Sequence, residues 1–532
     1  MATTQPRGIQ FREPPIFERG APGRSGASLP ALDVPAVDAK ALFGALARER
    51  EAGLPEVSEP EAMRHFVRLS QWNFCIDSQL YPLGSCTMKY NPKINEWAAR
   101  MPDFLRLHPM TPDALAQGSL EIMFELERML CEVSGMDACS LQPSAGAQGE
   151  LAGLMMMRAF HASKGRAPKK VFIPESAHGT NPASSALNGL TAVKIDRTDD
   201  GITHPEDLLR AIEREGGDDV CGLMMTNPNT LGVYETFLPD IVKLVHDKGG
   251  LVYGDGANTN AIMGAARPGD VGVDVIHINL HKTFTTPHGG GGPGSGPVCF
   301  KQHLEPFAPS PVIVKRDGLF ALDHDRPQSI GRLRAFQGNF GMFIRAYTYI
   351  REMGGPGLTQ ASALAVLNAR YLWAKLKDHY VAPVKQPCMH EVVLSDARLE
   401  RETGVKTLDV AKRLLDYGFH APTVYFPLVV PGALMIEPTE TETKETLDEF
   451  AAAMIAIAEE ARTDPTLVKD APHNTVVGRM DEARAARQPR LRWSPGLGGN
   501  APNSRYRRGR VYNEGKGRGE APNPHQATRA AA

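Results

Sequence analysis

HINLHKTFTTPHGGGGPGSGP, residues 277–297, opens on the end of an apolar run at 275–280 that reads as a buried strand. His281 and Lys282 close the run; hydroxyl residues and four successive glycines at 289–292 follow. A lysine at a strand end, among groups suited to oxyanions, differs from one on a charged helix face. An isolated His-Lys pair would read as a solvated lysine before a turn. Upstream, however, a second apolar strand, 251–253, runs into Asp255-Gly256-Ala257. One strand end carries an acid and another an amine, and together they read as a site.

Working outward, residues 61–320 alternate short apolar runs with helix-like ones, as parallel α/β sheets do. The candidate strands are 138–141, 171–173, 220–225, 251–253, 275–280 and 298–300. Ligands in open α/β sheets bind at the carboxyl ends of strands, and the polar clusters fall there. An Asp–Lys pair so placed suits pyridoxal phosphate, with Lys282 forming the Schiff base and Asp255 keeping the ring nitrogen protonated. The turn QPSAGAQG, 142–149, leads from a strand into a helix expected to begin near Gln148. Small residues at Ser144, Ala145 and Gly146 expose backbone N–H groups to an anion such as a phosphate. In PESAHGTNP, 174–182, His178 is placed to stack on a planar ring while Thr180 and Asn181 offer hydrogen bonds. Thr226, in TNPNT, repeats this pattern after another strand; a proline turn with an Asx hydrogen bond explains that cluster equally well. The run YPLGSCTMK, 81–89, has no mechanism legible from residue types.

At 532 residues the chain is long enough for more than one core. The expected organisation is an N-terminal arm at 1–60, disordered or wrapped on a neighbour; a large cofactor-binding α/β domain at 61–320; a small α+β domain at 321–485; and a disordered tail at 486–532. The arm turns helical over 38–50. In the small domain, helical patterns at 342–353 and 358–376 precede a strand at 391–395. A helix with Thr407 as N-cap follows, then a strand at 433–437 and a helix bearing Leu447, Phe450, Met454 and Ile457. A net charge of −2 with 23% charged residues excludes bulk attraction to nucleic acid or anionic membrane, despite the arginines near 505–510. The apolar stretch 419–436 is broken by three prolines and is no membrane span. Seven scattered cysteines without a CxxC pair, and no evident targeting segment, point to a cytoplasmic protein with reduced thiols.

LGSCTMK, QPSAGAQGE, HGTNPAS, TNPNTLG, GDGAN and the 277–297 block together resemble the signature blocks of the glycine-cleavage P-protein family. Further matches are FERGAPGRSGASLP, HEVVLS, MIEPTETETKETLD and APHNTVV, so the resemblance spans about residues 15 to 495. It implies an aspartate-aminotransferase-like fold, type I among pyridoxal-phosphate enzymes. The implied reaction is decarboxylation of glycine, with the aminomethyl group passed to the lipoyl arm of the H-protein and carbon dioxide released. Carrying the lysine block at half the length of the two-halved members, the chain is similar to subunit 2 of the split type. The implied partner is a homologous, lysine-free subunit 1, as a heterotetramer of two copies of each. His281 and Thr283 then stand near the phosphate or the lipoyl entrance, and His178 and Lys282 act as catalytic residues. The competing readings are another pyridoxal-phosphate enzyme, such as an amino-acid decarboxylase or cysteine desulfurase, and a non-enzymatic partner subunit. The second is opposed by Lys282.

Overall fold

The computed structural model describes residues 13–49, 52–196, 198–217, 219–288 and 294–494. The glycines at 289–292 and the tail beyond 494 lie outside the described residues. The chain forms two compact units, one from 1–75 with 470–532 and one from 76–469.

In the first unit, Asp38 caps a helix, Ala39–Phe43, by accepting from the N–H groups of Lys40 and Ala41. A 3-10 turn, Gly44–Leu46, follows, so the helix expected over 38–50 is shorter than the sequence suggests. Glu59–Ser70 is a longer helix, with Glu61 accepting from the Ser58 N–H at 2.8 Å. Its inner face reaches the buried Glu13, which accepts from His65 at 2.8 Å and Arg68 at 3.0 Å. Phe17 stacks on Trp493 at 5.1 Å. Leu29, Leu32 and Leu46 are 87%, 78% and 89% exposed.

The second unit is built on a seven-stranded sheet: β1 (Ala138–Ser140), β2 (Lys170–Pro174), β3 (Thr191–Ile195), β4 (Val220–Thr226), β5 (Leu251–Gly256), β6 (Val275–Ile278) and β7 (Val298–Phe300). Their order is β1-β7-β6-β5-β4-β2-β3, and only β7 runs antiparallel to its neighbours. Every residue of β4, β5 and β6 is buried, because helices cover both faces of a parallel sheet. That burial produced the apolar runs legible in the sequence. Strand β3 escaped notice because, at the sheet edge, it buries only Val193 and Ile195.

The helix Gly146–Ser163 begins earlier than Gln148 and lies close on the sheet. A Cβ at Gly149 would stand 2.7 Å from both the His277 Cβ and the Gly296 carbonyl oxygen; one at Gly153 would stand 2.5 Å from the Tyr253 ring. These glycines set the helix–sheet distance.

After a hairpin, β8 (Val312–Arg316) with β9 (Leu319–Asp323), the helical run Phe340–Leu376 joins the two helices expected there. Gly354, at φ 60° and ψ −179°, marks the break between them. The antiparallel strands β10 (Val392–Ser395), β11 (Thr423–Val424) and β12 (Ala433–Ile436) pair in the order β10-β12-β11. Thr407 is the first helical residue of Thr407–Asp416 rather than its cap, because its hydroxyl is drawn to the Gly432 carbonyl at 2.7 Å. Lys406 takes the cap position, its N–H donating to Asp409 at 2.9 Å. On Lys444–Thr463 the expected stripe of Leu447, Phe450, Met454 and Ile457 is buried.

Candidate active site

Asp255 lies in β5, level in register with Thr226 of β4 and His277 of β6. It is 4% exposed. Burial pushes its carboxyl up, but His277, the Ala257 N–H, Lys282 and Asn181 outweigh this and hold it below the ordinary carboxylate value. The geometry is explicit: the Ala257 N–H donates at 3.0 Å, the Asn181 amide at 3.3 Å, and His277 Nε2 stands 3.5 Å away. The other ring nitrogen of His277 meets the Tyr253 hydroxyl. Ala257 thus spends its N–H on the carboxylate.

Lys282 stands one helical turn beyond the strand end and not on it. β6 stops at Ile278, and the N–H groups of Lys282 and Thr283 turn back onto the Asn279 carbonyl at 3.0 and 3.1 Å. Its ammonium makes no hydrogen bond or ion pair among the described residues. Its charge reaches Asp255, Cys86, His281, His288, His390, Glu391 and Glu437. Cys86 is pushed up to about 11, by burial first, and is a neutral thiol near pH 7. Burial, then His288 and Lys282, hold His281 down at about 3, so its imidazole is neutral.

Ser144, Ala145 and Gly146 open the helix whose first N–H groups lie outside the helical ladder. The Ser144 N–H and hydroxyl both donate to Gln148 Oε1 at 2.8 Å, which leaves anion contacts to the residues after it. Gly146 lies against Asn279, and Gly294 lies against both His281 and the Ser144 carbonyl, so the turn, Asn279 and His281 share one wall. Several polar atoms in this region are buried without a partner among the described residues: the hydroxyls of Thr226, Thr283, Thr286 and Ser295, and Asn279 Oδ1. Orphaned groups of this kind each carry a desolvation cost that a polar ligand can relieve.

His178 is exposed. Its Nδ1 lies 3.0 Å from the Thr180 hydroxyl, and its ring is tilted 58° against Phe426 at 5.6 Å. Among the described residues no hydrogen bond or ring contact joins it to Lys282 or Asp255. Thr180 turns to Glu150 at 2.8 Å, and Asn181 supports Asp255.

Sequence reasoning missed His277 and the group around Cys86. Ser85 and Thr87, both with left-handed backbone (φ 62° and 49°), direct their N–H groups to Glu391 and Glu437. The available signal was an acidic residue flanking each of two apolar strands, Glu391 before β10 and Glu437 after β12.

Residues 40–316 match the family model described as glycine cleavage system P-protein, and residues 361–477 match glycine dehydrogenase, C-terminal domain. A curated relative from Desulforamulus reducens, "Probable glycine dehydrogenase (decarboxylating) subunit 2", is 55% identical over 90% of this chain and 99% of its own length. Among solved structures, an inhibitor-bound glycine decarboxylase (P-protein) superposes with a TM-score of 0.65 at 19% identity, covering 78% of this chain and 94% of that one. An aspartate aminotransferase from Thermus thermophilus superposes at 0.52 and 15% identity, covering 72% and 99%. The expected aspartate-aminotransferase-like fold is therefore present.

Proposed function

Because the chain belongs to the glycine cleavage system P-protein family, we propose that it removes the carboxylate of glycine as carbon dioxide and passes the aminomethyl remainder to the lipoyl arm of the H-protein. The observation that carries this reading is a buried Asp255, held ionised at the carboxyl end of the sheet with the charge of Lys282 acting on it.

Pyridoxal phosphate fits the residues present. When bound, it supplies the electron sink that loss of a carboxylate requires. Lys282 would attach it covalently, and Asp255 would hold a proton on its ring nitrogen. The helix start at Ala145 and Gly146, with neutral His281 beside it, suits the phosphate, whereas Ser144 has spent both its donors on Gln148. The hydroxyl of Thr226 and those of Thr283 and Thr286 are unspent donors for the remaining polar edges. His178 would reach the ring face by turning from Phe426. The buried walls of β4, β5 and β6 keep water from Asp255, so its charge acts at low dielectric.

The relatives' designation as subunit 2 supports a second subunit; we propose that it is homologous, lacks the lysine and assembles with this chain two and two in the cytoplasm. The exposed Leu29, Leu32 and Leu46 support such a cover for the N-terminal arm. The test is to add pyridoxal phosphate to the full chain, reduce with borohydride and map the adduct, then measure glycine–bicarbonate exchange with lipoylated H-protein and the second subunit. An adduct at Lys282 with exchange is expected. An adduct elsewhere, or turnover of another amino acid without exchange, overturns the reading.

A further inference from the structure

Three fully buried side chains that the charge of Lys282 reaches have no role in the reading above. His390 and Glu391 are 0% exposed and Glu437 is 1% exposed. His390 Nε2 lies 3.9 Å from Glu391 Oε2 and 3.9 Å from Glu437 Oε1. Among the described residues those three atoms have no hydrogen-bond partner, and neither has His390 Nδ1. The outer oxygens of the two carboxyls are occupied: Glu391 Oε1 accepts the Ser85 N–H, and Glu437 Oε2 accepts the Thr87 N–H at 2.7 Å. A left-handed backbone at Thr87 is costly for a β-branched residue, and the loop adopts it while aiming both N–H groups at this pair. Two converging carboxyls in a dry interior cannot both ionise.

We propose that Glu391 and Glu437 share one proton, and that their single remaining charge is the counter-charge of the Lys282 amine, with His390 neutral beside them. They are positioning residues: their shared charge balances that of Lys282 and offers a place for its proton when the free amine is needed. In that transfer the proton leaves Lys282 Nζ for the ionised carboxyl, giving a neutral amine and two carboxylic acids. The directions of titration agree. Burial first, then the neighbouring carboxylate, raises Glu391; burial raises Glu437; burial and Lys282 hold His390 at about 3. The other titratable groups facing the pair are Cys86 on the loop and Glu440 beyond β12, and Glu440 is itself paired with Lys89 at 2.7 Å. A divalent cation bound by the three side chains is disfavoured, because the positive charge of Lys282 already acts on all three.

This inference rests on Lys282 being the reactive amine of the proposed function. Infrared spectra of the full chain at neutral pH should show the carbonyl band of a buried carboxylic acid, lost in either Glu391→Gln or Glu437→Gln. In parallel, Lys282 is alkylated with propanal and cyanoborohydride across a pH series and quantified by peptide mapping. Each single variant retains one charge and should keep the wild-type midpoint. The double variant loses the counter-charge, and its midpoint should fall by about one pH unit or more. No acid band in the wild type, a midpoint unchanged in the double variant, or a stoichiometric metal lost on substitution would each overturn the proposal. Failure of Lys282 to react at all would instead count against the functional reading, with the infrared result still judging the pair.

Discussion

Asp255 keeps its charge where burial opposes it because His277, the Ala257 N–H and Asn181 converge on one carboxylate. Replacing it with Asn preserves size and removes the charge. Cofactor binding should persist in Asp255→Asn while glycine–bicarbonate exchange falls about a hundredfold, about 3 kcal/mol. Near-normal exchange would exclude Asp255 as the ring-nitrogen partner. His281 makes a prediction of opposite charge type. Its folded value of about 3 lies below its ordinary 6.5, so the folded protein binds fewer protons than the unfolded chain. The stability it contributes is present above 6.5 and is lost as pH falls through about 3. Urea unfolding of His281→Asn should therefore depend less steeply on pH over that window than the wild type. Equal slopes would mean that His281 takes up its proton freely in the fold.

The helix Gly146–Ser163 can present its first turn to an anion only because it packs closely on β6 and β5. Gly149→Ala would place a methyl 2.7 Å from the Gly296 carbonyl oxygen and from the Cβ of His277 in β6. Such overpacking should cost about 1–3 kcal/mol in urea unfolding and weaken phosphate binding. Gly179→Ala is the control: no atom lies within 4 Å of its added Cβ, so stability should be unchanged. If both variants unfold alike, helix–sheet spacing is not what Gly149 maintains. Element recognition from sequence succeeded where burial on both faces made an apolar run, as in β4, and failed at edge strand β3. Turns behaved differently. The helical turn carrying Lys282 depends on Asn279 accepting two backbone N–H groups, which periodicity does not report.

For the whole molecule, the apolar side chains exposed on the first unit, Leu29, Leu32 and Leu46, offer contact area to a partner subunit. The chain alone should be inactive or poorly active, and mixing it with the homologous lysine-free subunit should raise both mass and exchange activity. Light scattering and the exchange assay check this together. Full activity from the chain alone, unchanged on mixing, would favour a self-sufficient homodimer.

Strand-end chemistry was readable in one dimension because a buried strand, a following turn and its polar residue are contiguous. The site proposed at Asp255, Lys282 and the turn at Ser144–Gly146 was read that way, as were the parallel α/β class and the stripe on Lys444–Thr463, which the structure contains. Tertiary structure alone brought His277 to Asp255, and brought Ser85 and Thr87 to Glu391 and Glu437 across 306 and 350 residues of chain. Local periodicity records whether a residue is buried. It carries no information about which distant group shares that burial, and it is this sharing that sets the charge of a carboxyl or an imidazole.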